Sequence, residues 1–380
     1  MRGSTSASDN QCPESIAELS GMFFTGRRSQ GLKILFLTSG PNAPASRYRV
    51  FQFLPHLRQL GFRCSVANSF PEKYDYFPLI GWRLSRLLKR LVRRWHLLQM
   101  TWTQPDVVVL EREIFDEPDL EFERKLRRLA PTLILDIDDG IFLRYPGKFE
   151  KLAELCDFVI CGNSYIRDHL QPSNSRISII PTTVDAGLYH VKNPVRDAGD
   201  RVIVGWIGTP SNVPQISLVL PALRELSKSV SLELRIVTAE TAAVSDLSLQ
   251  GLPFRLIPWD ESTAIHEIAQ FDIGIMPLEK NDPWNLYKCG LKLIEYMAVG
   301  IPAVASPVGV NSEIVQDGHD GLLADTSEQW LHCLRLLADD VNLRNRIGKA
   351  ARETVERRYS VQAVLPDLVR VLETAHSPRK

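Results

Sequence analysis

Residues 285–324, NLYKCGLKLIEYMAVGIPAVASPVGVNSEIVQDGHDGLLA, carry the pattern that decides the fold. Leu291, Ile294 and Ala298 fall on one helical face, while Lys288, Lys292 and Glu295, at i, i+4 and i+7, fall on another. The spacing predicts a helix from about Gly290 to Val299, stopped at its C′ position by Gly300 and followed by a buried strand, IPAVAS. Gly290 at the helix start admits a ligand close to the backbone, where free amides and the positive end of the helix dipole favour phosphate. Two lysines add mobile positive charge, and a carboxylate one turn on can accept two hydroxyl hydrogen bonds from a vicinal diol. Diphosphate followed by ribose suits this order of groups. The plain alternative is a surface helix whose Lys292 and Glu295 pair at i,i+3, worth about 0.2–0.5 kcal/mol.

Working outward, apolar runs alternate with turns and amphipathic stretches from Gly31 onward, the signature of parallel sheets covered by helices. Leu32–Thr38, Asp106–Glu111, Thr132–Ile137, Asp157–Gly162 and Ile177–Pro181 read as one series of buried strands. A second series comprises Arg201–Gly208, Leu232–Thr238, Pro253–Trp259, Asp272–Leu278 and Ile301–Ser306. Between them DAGLYHVKNPVRDAGD, Asp185–Asp200, is polar and without apolar period, so it reads as the linker. The fold class is α/β, with two doubly wound parallel-sheet domains facing a cleft at the C-terminal ends of their strands. The last helical pattern, Val361–Ala375, either closes the second domain or packs back on the first.

The 380 residues exceed the size at which one hydrophobic core usually keeps growing, which also favours two domains. Lys+Arg and Asp+Glu balance at 45 each, so no long-range field steers the chain toward nucleic acid. The cysteines at 12, 64, 156, 161, 289 and 333 form no CxxC pair, and the eight histidines show no HxxxH or HExxH spacing. Reduced thiols, a cytoplasmic setting and no zinc site are the expectation. No stretch reaches the roughly 18 apolar residues that a membrane span needs, and residues 1–30 read as a flexible tail without a signal pattern.

The stretch from Leu291 to Ala324 resembles the donor-site region of glycosyltransferase family 4, retaining enzymes of the GT-B fold. CDFVICGNSYIRDHL (156–170) and ISIIPTTVD (177–185) are similar to that family's last N-domain strand, the helix after it and the entry into the linker. The resemblance covers most of residues 31–375 and implies an acceptor domain over 31–190, a nucleotide-sugar donor domain over 191–355 and a C-terminal helix over 356–380. It implies transfer of a hexose-type sugar from a nucleoside-diphosphate sugar to the hydroxyl of a glycan, lipid-linked or small-molecule acceptor, with retention and without metal or other cofactor.

In that family two glutamates eight positions apart flank the donor, the second on the ribose and the first on the transferred sugar. Glu295 matches the second, but Tyr287 stands where the first would be. Many members also hold the diphosphate with an arginine and a lysine after the first C-domain strand. Here that loop is GTPSNVPQ, Gly208–Gln215, without a cation. Gly208, Thr209, Lys288, Gly290, Leu291, Lys292 and Glu295 are therefore the expected donor contacts, with the two lysines supplying the missing charge. A nucleotide-sugar epimerase or hydrolase, or an inactive partner protein of the same fold, are the other readings; Tyr287 favours the last.

In TSGPNAPASRYRV, Arg47 and Arg49 read as the first turn of a helix after Ser46, where the dipole disfavours cations unless an anion binds. With Gly40, they are the expected acceptor contacts. LILDIDDGIF places Asp136, Asp138 and Asp139 at the end of a buried strand facing the cleft. Asp138 and Asp139 fall where many family members have a His-Asp pair, and with Lys288 they are the expected catalytic groups. Glu111, Arg112 and Glu113 end the neighbouring strand, with a weaker claim.

WRLSRLLKRLVRRWHLLQ, Trp82–Gln99, has leucines and Trp95 on one stripe and Arg83, Arg86, Lys89, Arg90, Arg93 and Arg94 around the rest. Its cations repel one another at i,i+3 and i,i+4, so an anionic surface would stabilise it; the expectation is either docking on the cytoplasmic face of a membrane or a layer helix with a solvated basic face.

Overall fold

The computed structural model describes residues 31–79, 81–190, 201–239 and 241–376. The tail expected over residues 1–30, residues 191–200 of the linker and residues 377–380 lie outside them. Two six-stranded sheets, parallel throughout, form the frame. The first consists of β1 (Lys33–Thr38), β2 (Arg63–Asn68), β3 (Val107–Glu111), β4 (Thr132–Ile137), β5 (Phe158–Cys161) and β6 (Ile177–Ile179), in spatial order β2-β1-β3-β4-β5-β6. The second consists of β7 (Val202–Ile207), β8 (Leu232–Thr238), β9 (Phe254–Pro258), β10 (Ile273–Met276), β11 (Ala303–Ala305) and β12 (Leu322–Leu323), in order β12-β11-β10-β7-β8-β9.

Strand direction reverses its lateral progress between β1 and β3 in the first sheet and between β7 and β10 in the second. Crossover connections leave on opposite faces at such a point, so the loops part and open a crevice. The loops after β7 and β10, which contain Gly208–Gln215 and Leu278–Pro283, meet there. Helices cover both faces of each sheet, and the interior strands are buried on both sides, as β3, β4 and β7 are throughout.

The chain crosses between the domains more than once. Val184 pairs with Ser360 in an isolated parallel bridge, with Val184 N–H donating to Tyr359 O and Val361 N–H donating to Val184 O, both at 3.0 Å. The Val361–His376 helix then packs back on the first domain, its Val364, Leu365, Leu368 and Leu372 sharing a core with Ile34, Phe36 and Ile160.

Two strands escaped the sequence pattern, β2 and β12, and both are sheet edges. An edge strand is covered on fewer sides, so its composition is less apolar: β2 reads RCSVAN and only Ala67 in it is buried.

The basic helix is inverted relative to expectation. It spans Gly81–Thr103, and its buried side chains are Ser85, Arg93 and Met100, while Leu84, Leu87, Leu91, Trp95 and Leu98 are exposed. The cause is what lies beneath it. The Arg93 guanidinium donates to the Thr38 and Ala67 carbonyls at the ends of β1 and β2, at 2.6 and 2.7 Å. Arg86 and Arg90 pair with Glu117 at 2.6 and 2.5 Å, and Lys89 donates to the Lys73 and Asp75 carbonyls. Burial pulls the Arg93 pKa down to about 10, a cost that its carbonyl acceptors and the nearby carboxylates of Glu111 and Glu123 offset. Sheet-end carbonyls need donors more than the sheet edge needs leucines.

A second inward cation fixes the first domain. Arg49 and Asp136 form a fully buried pair, 2.6 Å at its shortest contact, and a second guanidinium nitrogen reaches Ile180 O at 2.6 Å. Arg49→Leu would strand the Asp136 carboxylate in the core, with an expected loss of about 3–5 kcal/mol. The measurement is the urea midpoint of the first domain. It should fall for the single variant and largely recover in the double variant Arg49→Leu with Asp136→Leu.

Candidate functional site

The helix predicted from the opening segment runs Leu291–Ala298, one residue shorter at its start than expected, and Gly290 is its N-cap with φ +70°. A Cβ there would lie 2.3 Å from Ile314 Cδ1 as well as in the left-handed region. Glycine is thus required by backbone and packing, and its open side faces Ile314 rather than a ligand. Leu291 packs half-buried against the core of the second domain. Lys288 precedes the helix instead of lying on it, in the loop after the short Pro283–Leu286 helix.

From that loop Lys288 reaches across to the crevice. Its Nζ donates to Asn212 Oδ1 at 2.5 Å, and the Asn212 amide donates to Thr209 Oγ1 at 2.7 Å. The GTPSNVPQ loop, which has no cation of its own, therefore holds one delivered from the β10 side of the switch point. Lys292 comes from the other direction. Its Nζ lies 5.5 Å from the Trp206 ring centroid, and its Cε is 2.6 Å from where a Cβ on Gly208 would stand. Gly208 is what lets this lysine lie along the end of β7. Burial, helped by the charge of Lys288, pulls the Lys292 ammonium down to about 8.

Glu295 is buried, with 8% of its surface exposed. Its Oε1 accepts hydrogen bonds from two phenols, Tyr48 at 2.8 Å and Tyr189 at 3.0 Å. Burial raises the Glu295 carboxyl above its usual range, and the two phenols and Lys292 oppose that rise. Burial also raises both tyrosines, with the Glu295 charge adding to it. Neither tyrosine carries a sequence signal of its own. Tyr48 sits between two arginines that drew the attention, and Tyr189 sits in the polar linker stretch.

The expected acceptor contacts divide. Arg47 and Arg49 lie in the last turn of a Pro44–Arg49 helix, not its first, so the helix dipole favours them. Arg49 is committed to Asp136 inside the domain and presents nothing to a ligand. Arg47 bridges the domains, pairing with Glu261 at 3.0 Å and lying 5.0 Å over the Trp259 ring. Gly40 is buried under Glu72, whose Oε1 accepts the Asn42 N–H at 2.8 Å.

Of the three aspartates, two are bound by arginine. Asp138 accepts from Arg112 Nε at 2.6 Å; burial alone would raise its carboxyl, but Arg112 and Arg49 hold it below the usual range. Arg112 adopts φ +57°, unusual for a residue with a side chain, and its N–H donates to Asp136 O at 2.8 Å. Asp139 is half-buried, accepts only a hydrogen bond from the Gly140 N–H among the described contacts, and is raised by burial. Lys288 is among the charges that oppose the rise of the Asp139 carboxyl. Glu111 and Glu113 point inward. Glu111 accepts from Ser39 and Ser46 hydroxyls at 2.6 Å, and Glu113 accepts from the Tyr74 phenol at 3.2 Å.

Tyr287 does not face the crevice as a sugar-contacting carboxylate would. Its ring packs edge-on against Phe142 at 4.7 Å, with His169 beyond at 6.2 Å, and its Cβ abuts Gly140 of the first domain. Asn163 Nδ2 donates to Tyr287 O at 3.1 Å, fastening the same loop to the start of the Ser164–Leu170 helix. Position 287 here is a domain-to-domain contact.

Residues 201–340 match a protein family described as Glycosyl transferases group 1. A 66-residue stretch is 38% identical to the D-inositol 3-phosphate glycosyltransferase of a Nocardioides species, covering 17% of this chain and 14% of that protein. Among solved structures, sucrose-phosphate synthase of Thermosynechococcus elongatus superposes with a TM-score of 0.69 at 16% identity, over 90% of this chain and 99% of its own. Anabaena HepE, solved in complex with UDP, superposes with a TM-score of 0.63 at 15% identity, over 90% and 100%. The chain has the GT-B fold, and its second domain matches the Glycosyl transferases group 1 family along residues 201–340.

Proposed function

We propose that this protein is a glycosyltransferase that moves a hexose-type unit from a nucleoside-diphosphate sugar to an acceptor hydroxyl, with retention at the anomeric carbon. The observation that carries this reading is the pair of lysines converging on the end of β7. An anion of diphosphate charge loses hydration in a crevice and needs charge-assisted hydrogen bonds in return. Lys288 and Lys292 offer them at the loop that begins with Gly208 and Thr209. With that charge in place, departure of the nucleoside diphosphate needs no divalent metal, and transfer in the presence of a chelator is the expected result. As the sugar–oxygen bond to the diphosphate breaks, the acceptor oxygen attacks from the same face and its proton passes to the departing phosphate oxygen. Asp139, the aspartate without an arginine partner, lies on the side of the crevice from which an acceptor would come.

Glu295 takes the ribose. In the described state its Oε1 is satisfied by Tyr48 and Tyr189, so ribose hydroxyls replace one or both phenols as the donor enters. HepE with UDP makes a uridine diphosphate sugar the first donor to try. The second reading, a donor-binding partner without turnover, is favoured by the packing of Tyr287 into the first domain in place of a carboxylate facing the sugar.

Thermal denaturation against UDP-, GDP-, ADP- and TDP-sugars separates these readings. Stabilisation by one donor, lost in Lys288→Ala and in Glu295→Gln, is the expected outcome; wild-type shifts in both variants would defeat the assignment of the site. Release of nucleoside diphosphate with an acceptor panel then distinguishes an enzyme from an inactive partner, and the anomeric configuration of the product tests retention.

The pH dependence follows from Lys292. Its ammonium is charged below about 8 and neutral above. Its share of anion binding is therefore present at pH 7 and lost at pH 9. UDP affinity measured calorimetrically should fall by up to about tenfold for each pH unit above 8. In Lys292→Arg, whose charge persists, the decline should vanish.

A further inference from the structure

Leu84, Leu87, Leu91, Trp95, Leu98 and Trp102 recur at intervals of three and four along the Gly81–Thr103 helix. At 100° per residue they fall within an arc of roughly 80°. Each is between 46% and 64% exposed. Six large apolar side chains in one outward row, on a helix about 34 Å long by its 1.5 Å rise, form a contiguous surface of a kind that isolated soluble domains rarely leave bare. Trp82 at the helix start is also exposed, at 58%, but at 100° per residue it lies on the side of the helix away from the stripe.

The cations are sorted with the stripe. Arg93 is buried, Lys89 and Arg90 are partly so, and Arg86 is exposed, but all four are already occupied, by Glu117 or by backbone carbonyls. Arg83 and Arg94 are exposed, flank the stripe on one side and have no acidic partner among the described residues. The helix contains no aspartate or glutamate.

We infer that this face lies in the interfacial region of an anionic bilayer, the leucines among the upper acyl chains and Trp95 and Trp102 at headgroup level, with Arg83 and Arg94 on lipid phosphate. Indole rings favour that depth, and an amphipathic helix binds through buried apolar area plus attraction to anionic lipid. A second copy of the chain is the competing occupant. Pairing two such helices would set Arg83 and Arg94 beside their counterparts with no carboxylate on either helix to answer them. Lipid phosphate removes that repulsion.

No described helix is long and apolar enough to cross a membrane, so the contact is a surface one. The helix begins beyond the C-terminal end of β2, the end of the sheet at which the crevice opens, so its Trp82 end lies toward the site. Docking in this manner would present a lipid-carried hydroxyl to the crevice. That consequence rests on the proposed transfer reaction; the docking itself does not.

Co-sedimentation of the whole chain with phosphatidylcholine vesicles, with and without phosphatidylglycerol, tests the surface. Binding to the anionic vesicles is expected, with loss of binding in Leu87→Asp with Leu91→Asp. Arg83→Gln with Arg94→Gln should weaken it by about thirtyfold, from about 1 kcal/mol per cation. Arg86→Gln with Arg90→Gln, which changes cations already neutralised by Glu117, should leave vesicle binding within about twofold of wild type. Absence of binding by the wild-type chain would overturn the inference. So would a dimer by light scattering that the Leu→Asp pair dissociates while vesicle binding persists. Donor-induced thermal stabilisation retained in the Leu→Asp protein shows that it is folded. If the wild type binds vesicles but no nucleotide sugar stabilises it, the transfer reading fails and the surface stands.

Discussion

A carboxylate buried where two domains meet must be hydrogen-bonded or neutralised, and Glu295 is met by phenols from two separate places in the chain. Tyr48 comes from the short helix after β1 and Tyr189 from the stretch that follows the first domain. Hydrogen bonds to an ionised group are roughly twice as strong as neutral ones, and losing one inside a protein leaves a desolvated charge. The position of the first domain over the second is thus tied to the one side chain expected to recognise the ribose. Arg47 on Glu261 and Ser164 on Glu313 add further ties at the rims. A ligand that satisfies Glu295 in place of Tyr48 relaxes the central tie and leaves the rims, so donor binding and domain apposition are coupled through this carboxylate.

The same constraint explains what was and was not legible in the sequence. Interior strands announce themselves, because burial on both faces leaves only apolar residues from Val107 to Leu110 or from Leu133 to Leu135. The edges β2 and β12 do not. Lys292 and Glu295 were legible because one helix carries both at fixed spacing. Lys288 reaches the same crevice only because a loop carries it there, and its partner Asn212 lies 76 residues away in sequence. Tyr48 lies 247 residues from Glu295, and a lone tyrosine carries no periodic or motif signal. The inverted basic helix failed for a related reason. Amphipathic patterning assumes that the apolar stripe seeks the core, whereas here the neighbouring surface is made of strand-end carbonyls and a carboxylate, Glu117, which arginines satisfy and leucines cannot.

Charge in the crevice sorts into fixed and available groups. Asp136 is neutralised by Arg49 and Asp138 by Arg112, and the Arg112 pair sits on a strained backbone that the surrounding strands enforce. These carboxylates set geometry: Arg112 and Arg49 hold Asp138 below the usual range, while burial raises Asp136 in spite of Arg49. Asp139 and Glu295 lack an arginine, and Lys288 and Lys292 hold no carboxylate within salt-bridge distance among the described contacts. Two cations therefore remain beside the end of β7. An incoming anion meets charge that needs no prior ion pair to be broken, which keeps the electrostatic cost of binding low.

Tyr287 shows how a substitution can move a residue from chemistry to architecture. A glutamate at this position would lose the aromatic contacts with Phe142 and His169 and leave the space over Gly140 unfilled. A tyrosine ring instead presents its edge to Phe142 and fills the space over the glycine. The Asn163 amide then fixes the backbone carbonyl of the same residue, so ring and peptide are both held by the first domain. Lys288 is the next residue along. With Tyr287 anchored on one domain and Gly290 locked in a left-handed cap on the other, the lysine between them has few places to go, and its reach to Asn212 is the geometry those two anchors allow. Held from both sides, this position directs the Lys288 ammonium onto Asn212 in the loop after β7.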